Sequence, residues 1–286
     1  MCIICEGKDL SELKRLDCYK CQNVTVIPNI NGLEELYCEG CSFLKEIPNI
    51  DGLKKLYIDE CKLIKEIPNI DGLKEIFCYN LPLLKEIPNI KGLKLLDCYN
   101  CQNVTVIPNI KGLTRLCCVS IPLKKIPNIK GLKILCCYDL PHIEEIPNIK
   151  GLKRLDCSGC SLVTKIHKIH GLTRLDCSMC DKLKEIPKID NIEEIDCTES
   201  RLILDNPNVN VKKMTYENCP WLNVNEEYKE NLNKVILIQR LFRKNVLIRG
   251  ILRVSKQIIP IWWDPECKGG YMYKKELLDF IEKIKY

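Results

Sequence analysis

The residues whose spacing could do chemistry are cysteines. Cys18/Cys21, Cys38/Cys41, Cys98/Cys101, Cys157/Cys160 and Cys177/Cys180 have the Cys-x-x-Cys spacing of zinc ligands and redox dithiols. They recur inside a unit of twenty residues, so each position can be read as a column. The first column runs Cys18, Cys38, Ile58, Cys78, Cys98, Cys118, Cys137, Cys157, Cys177, Cys197 and Tyr216. The second runs Cys21, Cys41, Cys61, Leu81, Cys101, Ile121, Leu140, Cys160, Cys180, Ser200 and Cys219. Isoleucine and leucine occupy both columns, and neither can bind a metal. Free cysteine is among the most buried residue types and packs as a small hydrophobe. The columns therefore predict a buried structural ladder, with no metal and no cofactor. Thiols stacked one per strand would sit about 4.8 Å apart, close enough to cross-link, so a reducing compartment is expected. Cys117 and Cys136 fall between the columns at the outward strand position and are expected to be the most reactive thiols, without a paired base.

Other catalytic arrangements are absent from the sequence. Three histidines occur, His142, His167 and His170, and none has a neighbouring acid and nucleophile that would complete a triad. There is no phosphate-cradling glycine loop, no His-Glu-x-x-His and no paired catalytic carboxylate. No enzyme activity is expected.

The outward strand positions carry recognition chemistry instead. One column reads Asp17, Tyr37, Tyr57, Phe77, Asp97, Cys117, Cys136, Asp156, Asp176, Asp196. The next reads Tyr19, Glu39, Asp59, Tyr79, Tyr99, Val119, Tyr138, Ser158, Ser178, Thr198. Tyr37, Tyr57, Phe77, Tyr79 and Tyr99 thus form an aromatic patch, with Tyr138 further along. The positions opening each strand are often basic: Lys14, Arg15, Lys54, Lys55, Lys74, Lys94, Arg115, Lys133, Lys153, Arg154 and Arg174. Tyrosine and arginine dominate protein-interface hot spots. Aromatics between cations could also stack bases, but the aspartates on the same face oppose nucleic acid. Aromatic residues also favour strands and pack across them without any partner. The expectation is a protein partner, with these six aromatics as its site.

The elements that position these columns follow from the repeat. Leu13, Leu33, Leu53, Leu73, Leu93, Leu113, Leu132, Leu152 and Leu172 open successive units, and Ile192 and Val211 continue them. Within a unit, Leu-x-Leu-x-Cys alternates at period two, the pattern of a strand with one buried face. The rest of each unit holds a proline, as in Ile47-Pro48-Asn49-Ile50, which disfavours a helix. Glycines such as Gly32, Gly52 and Gly72 stand where the chain must turn into the next strand. One residue is missing near Ile121, Pro122 and Leu123, so the bend there should differ, and His167 replaces the usual proline.

This spacing, Leu-x-x-Leu-x-Cys-x-x-Cys-x-x-Leu, resembles the leucine-rich repeat consensus over roughly residues 10–222. The resemblance implies an α/β-type repeat solenoid. It would be a curved right-handed array with a parallel concave β-sheet, a mostly non-helical convex side and a C-terminal helical cap. It also implies partner binding through the concave face. The Ile-Pro-Asn-Ile-x-Gly-Leu-Lys units and many cysteines are similar to those of repeat proteins of giant, mimivirus-like DNA viruses, implying a host-cell cytoplasmic location.

Residues 1–222 are read as the solenoid, with about 11 repeats, and 223–286 as a cap or tail. Residues 226–286 hold 13 Lys/Arg and 8 Asp/Glu, a surplus of five out of the net +6. The first residues lack a basic stretch before an apolar run, so no signal peptide is expected, and no apolar run approaches membrane-spanning length. In the tail, Glu226 to Ile259 reads as a basic amphipathic helix ended by Pro260, and Tyr273 to Lys285 as a second helix. Ile238, Gln239 and Arg243 are similar to the start of an IQ motif, which implies a calmodulin-like partner. Lys244 stands where that motif has glycine, and Arg249 falls one position late. The alternative function is therefore an adaptor whose tail recruits a second protein. The chain is expected to be a monomer.

Overall fold

A computed structural model describes residues 3–203, 206–208, 211–217 and 219. Each repeat contributes one strand: β1 (Arg15–Tyr19), β2 (Glu35–Glu39), β3 (Lys55–Asp59), β4 (Glu75–Tyr79), β5 (Leu95–Tyr99), β6 (Arg115–Val119) and β7 (Ile134–Cys136). Beyond these lie β8 (Glu145–Ile146), β9 (Arg154–Asp156), β10 (Lys165–Ile166), β11 (Arg174–Asp176), β12 (Glu194–Asp196) and β13 (Lys213–Thr215). Eleven of them form one parallel sheet in the order β1-β2-β3-β4-β5-β6-β7-β9-β11-β12-β13. Pairing is column on column, as in Leu36↔Leu56↔Ile76 and Tyr37↔Tyr57↔Phe77. Successive repeats thus stack without slippage into a parallel β-solenoid.

Alternation does the folding. In β2, Leu36 and Cys38 are buried while Glu35, Tyr37 and Glu39 face outward. Leu33, Leu36, Cys38, Cys41, Leu44, Ile47 and Ile50 of one unit all join a core that runs through the stack. A lone unit could not enclose these side chains; its neighbours do. The turns into β2 to β7, β9 and β11 use a left-handed glycine, for example Gly52 at φ 87° and Gly112 at φ 98°, and Asn191 at φ 63° takes its place before β12.

Every described cysteine of the two columns is buried, and Ile58 and Leu81 are as fully enclosed as the thiols they replace. The second column is more than apolar filling, however. Cys41 Sγ donates to Cys18 O at 3.1 Å, Cys160 Sγ to Cys137 O at 2.9 Å, and Cys180 Sγ to Cys157 O at 3.2 Å. Ser200 makes the same bond to Cys177 O at 2.6 Å. Where the column holds cysteine or serine, as at Cys41, Cys160, Cys180 and Ser200, the repeat hands a donor back to a buried carbonyl of the one before it; Leu81, Ile121 and Leu140 offer none.

No helix occurs among the described residues, so the segments joining strands are extended turns and the α/β description gives way to an all-β solenoid. The physical reason is the proline and the short return, about nine residues, which leave too little length for a stable helix. Equally, no described helix is long and apolar enough to cross a membrane. The short unit absorbs its deletion in the turn. Leu123 N bonds Ile121 O two residues back, where the regular turn spans three, as in Leu44 N to Cys41 O. After it the strands shorten from five residues to three. His167, unlike proline, has an N–H, which donates to Ile146 O at 3.0 Å beside a small second sheet of β8 and β10.

Ahead of β1, Ile3, Ile4, Cys5, Leu10 and Leu13 pack partly buried against the core. The helical cap, the IQ-like segment and the rest of the tail expected over 223–286 lie outside the described residues.

Candidate recognition face

Strands β1 to β5 present three outward columns in register. The first is a charge ladder. Arg15 pairs with Glu35 at 3.6 Å and Lys55 with Glu75 at 3.5 Å, so sign alternates from β1 to β4 and the ladder ends at Leu95 of β5. Reading the start of each strand as basic overlooked Glu34, Glu35 and Glu75, which a strict twenty-residue alignment exposes. Many of the lysines are also engaged. Lys54 pairs with Glu34 at 2.6 Å. Lys14, Lys94 and Lys153 donate to the carbonyls of Gly32, Gly112 and Gly171 in the following repeats.

The second and third columns supply the rings. Tyr37 and Tyr57 lie 5.8 Å apart and Tyr57 and Phe77 6.1 Å apart, centroid to centroid, tilted to one another. Tyr79 stands edge-on to Tyr57 at 5.5 Å, to Phe77 at 6.4 Å and to Tyr99 at 6.3 Å. The tilted and edge-to-face geometries are those that ring quadrupoles favour. All five rings form one contiguous cluster. Tyr138 is outward and exposed but stands two strands beyond Tyr99, with buried Val119 between them.

Cations close over the cluster. The Arg15 guanidinium sits 4.1 Å from the Tyr37 centroid, and the Lys55 ammonium lies 5.6 Å from Tyr37 and 5.1 Å from Phe77. The Tyr37 hydroxyl and Glu75 hold the Lys55 ammonium above its ordinary pKa. Tyr37 Oη donates to Glu35 at 3.2 Å, and Tyr57 Oη to Asp59 at 3.4 Å. Burial, with Asp59 beside it, pushes the Tyr57 phenol up to about 12. At the far end, burial raises the Asp97 carboxyl, which Tyr79 and Arg115 partly offset. Tyr37, Tyr57, Phe77 and Tyr79 are therefore half-buried against one another, while Tyr99 at the end of the cluster is exposed.

Cys117 and Cys136 also differ from expectation. They pair in register, yet Cys117 is only 5% exposed and Cys136 half-buried, because the flanking side chains close over them. Nor are they without a charged neighbour: Arg115 Nε donates to Cys117 Sγ at 3.5 Å. The shared hydrogen bond with Cys136, then burial in the opposite sense and Arg115, bring Cys117 down to about 7.

Beyond β7 the face turns acidic. Asp156, Asp176 and Asp196 stand one strand apart. Asp156 and Asp176 each accept from the backbone N–H and hydroxyl of Ser158 or Ser178, while Asp196 accepts from Thr198 N.

No protein-family model and no curated protein matches this sequence. Among solved structures, a leucine-rich repeat protein from Bacteroides ovatus is similar at 16% identity over 73% of this chain and 80% of that one, with a TM-score of 0.28. The solenoid assignment rests on the strand register, not on that likeness.

Proposed function

We propose that the protein is a non-enzymatic scaffold that binds a protein partner through the outward face of its sheet, centred on Tyr37, Tyr57, Phe77, Tyr79 and Tyr99, with Tyr138 at the margin. In this reading the chain is a curved right-handed leucine-rich repeat array of short cysteine-containing units, of the kind giant DNA viruses encode. The observation that carries it is the ring cluster clasped by Arg15 and Lys55. Five aromatics fixed on rigid strands, with cations and carboxylates at their edges, offer large contact area at little conformational cost. The adaptor alternative concerns residues outside those described.

The test is cross-linking and affinity capture with the full chain, followed by affinity measurement on the captured partner. Tyr57→Ala with Phe77→Ala should weaken binding by about 30-fold or more, the equivalent of about 2 kcal/mol expected of hot-spot residues. Val106→Ser, at an exposed position on the return segment, should leave it unchanged. Equal binding by the double variant would refute the site, and loss only on deleting residues 226–286 would support the adaptor.

A further inference from the structure

We propose that Cys78, Cys98 and Cys101 form a binding site for a trivalent arsenical, taken up as arsenite and held by three sulfur bonds inside the core. Their sulfurs all lie within 4.8 Å of one another, and all three residues are buried. An atom at the centre of such a triangle stands at most about 2.8 Å from each sulfur. A metal–thiolate bond is ~2.3 Å long. Small side-chain rotations close that gap without moving the strands.

The convergence is local, although the repeat supplies the same three column positions elsewhere. Each triad joins the first-column cysteines of two successive repeats to the second-column cysteine of the later one. Cys18/Cys38/Cys41, Cys137/Cys157/Cys160 and Cys157/Cys177/Cys180 are complete in sequence. Among the described residues, however, only the sulfurs of Cys78, Cys98 and Cys101 come together. The second-column thiol makes the difference. Cys41, Cys160 and Cys180 hold the carbonyl of the preceding repeat at 3.1, 2.9 and 3.2 Å. Cys101 meets Cys78 O at 3.5 Å and Tyr99 O at 3.5 Å, so its sulfur is held loosely by both and lies with the other two thiols. Cys61 has a similarly long bond, 3.6 Å to Cys38 O, but Ile58 stands where its third sulfur would be. Leu81 and Ile121 precede and follow Cys101 in its column; both are buried and neither carries a ligand atom.

Burial and ligand number choose the occupant. Structural zinc takes four ligands, and no fourth joins these three among the described residues. Three thiolates around Zn²⁺ or Cu⁺ would leave net negative charge in the core, where an uncompensated charge is costly. Trivalent arsenic binds three sulfurs, keeps a lone pair in place of a fourth ligand, and gives a neutral complex. In the step, three S–H and three As–OH bonds break and three As–S bonds form. Each thiol proton leaves with a hydroxide as water, arsenic stays trivalent, and no electrons are exchanged. The bound atom ties β4 to β5 from the inside, since Cys78 and Cys98 are register partners. Entry needs a local opening of these repeats, so the folded chain loads slowly.

The test refolds the reduced full chain from urea in the presence of sodium arsenite, with a phosphine and no small thiol as reductant. After gel filtration, native mass spectrometry should find one arsenic per chain, with a sulfur-to-arsenic charge-transfer band in the near ultraviolet. Cys78→Ile and Cys101→Leu copy residues that the same columns carry at Ile58 and Leu81, so both variants should fold, as circular dichroism checks. Each should lose that arsenic. Cys180→Leu, the same change in another triad, should keep it. The proposal is overturned if the unaltered chain folds without binding arsenic, or if Cys101→Leu holds as much as the unaltered chain. It is equally overturned if Cys180→Leu loses as much as Cys101→Leu, or if Cys101→Leu lowers the zinc or copper(I) that the chain takes up but not the arsenic.

Discussion

Truncating Cys160 to alanine should destabilise the solenoid more than converting it to serine. Cys160 is fully buried, and its thiol donates to Cys137 O at 2.9 Å. Alanine leaves that carbonyl without its donor inside the core, at about 1–3 kcal/mol. It also deletes one buried heavy atom, comparable to a lost methylene at about 0.5–1.5 kcal/mol. The sum is about 1.5–4.5 kcal/mol. Serine keeps the donor and loses mainly the apolar character of sulfur, about 1 kcal/mol. Ser200 shows that the column accepts a hydroxyl: it bonds Cys177 O at 2.6 Å and accepts from Cys180 N at 3.1 Å. Urea unfolding followed by circular dichroism, compared at equal m-value, gives the difference. Cys160→Ala as stable as Cys160→Ser would refute the donor role and return the column to simple filling.

Asp176→Asn should stabilise the chain at neutral pH and not at pH 3. Burial, then the neighbouring acids Asp156 and Asp196, hold the carboxyl above its ordinary value, partly offset by Ser178. The folded state therefore binds the proton more tightly than the unfolded one, and stability falls as pH rises through the window above about 4; pH-dependent thermal melts check the sign. Iodoacetamide labelling with peptide mapping should show Cys117 reacting with a midpoint near the value of about 7 set by Cys136 and Arg115, slowly because of its burial. Arg115→Gln should move that midpoint upward, and an unchanged profile would remove the arginine's role. Gly159→Ala should cost about 1–2 kcal/mol from left-handed strain, since φ is 68°, and more from a Cβ placed against Asp139 Oδ1. Adding Asp139→Ala should recover part of the loss in chemical unfolding.

Much of this architecture is legible in the sequence because the repeat makes columns. Ile58 and Leu81 among cysteines announce burial, and Tyr37, Tyr57 and Phe77 twenty residues apart announce a row. Contacts that depend on geometry rather than period were less visible. The second cysteine column reads as a hydrophobe because leucine replaces it, yet Ser200 in the same column is the residue that betrays a donor. Cys117 looks exposed from strand parity alone, since parity gives direction and not the cover supplied by neighbours. The charge ladder is only half legible, because Glu35 and Glu75 alternate with Arg15 and Lys55 and its true period is two repeats.

The prolines of the return segments bear on how the chain avoids misassembly. Ile-Pro-Asn-Ile recurs nearly unchanged, so any return segment could in principle zip onto any other, in its own chain or in another one being synthesised nearby. A proline lacks the N–H such pairing needs. Where His167 stands instead, its N–H bonds Ile146 O. Proline thus removes a donor from the back of the array as a template for aggregation, and among the described residues pairing there is limited to the β8–β10 sheet and a Val26–Glu46 bridge. That leaves slippage by a whole repeat as the remaining error, one that identical units would hardly resist. The shortened unit at Ile121–Leu123 and the odd histidine act as landmarks against it. A chain displaced by twenty residues would set a two-residue turn against a three-residue one and a proline against the N–H of His167.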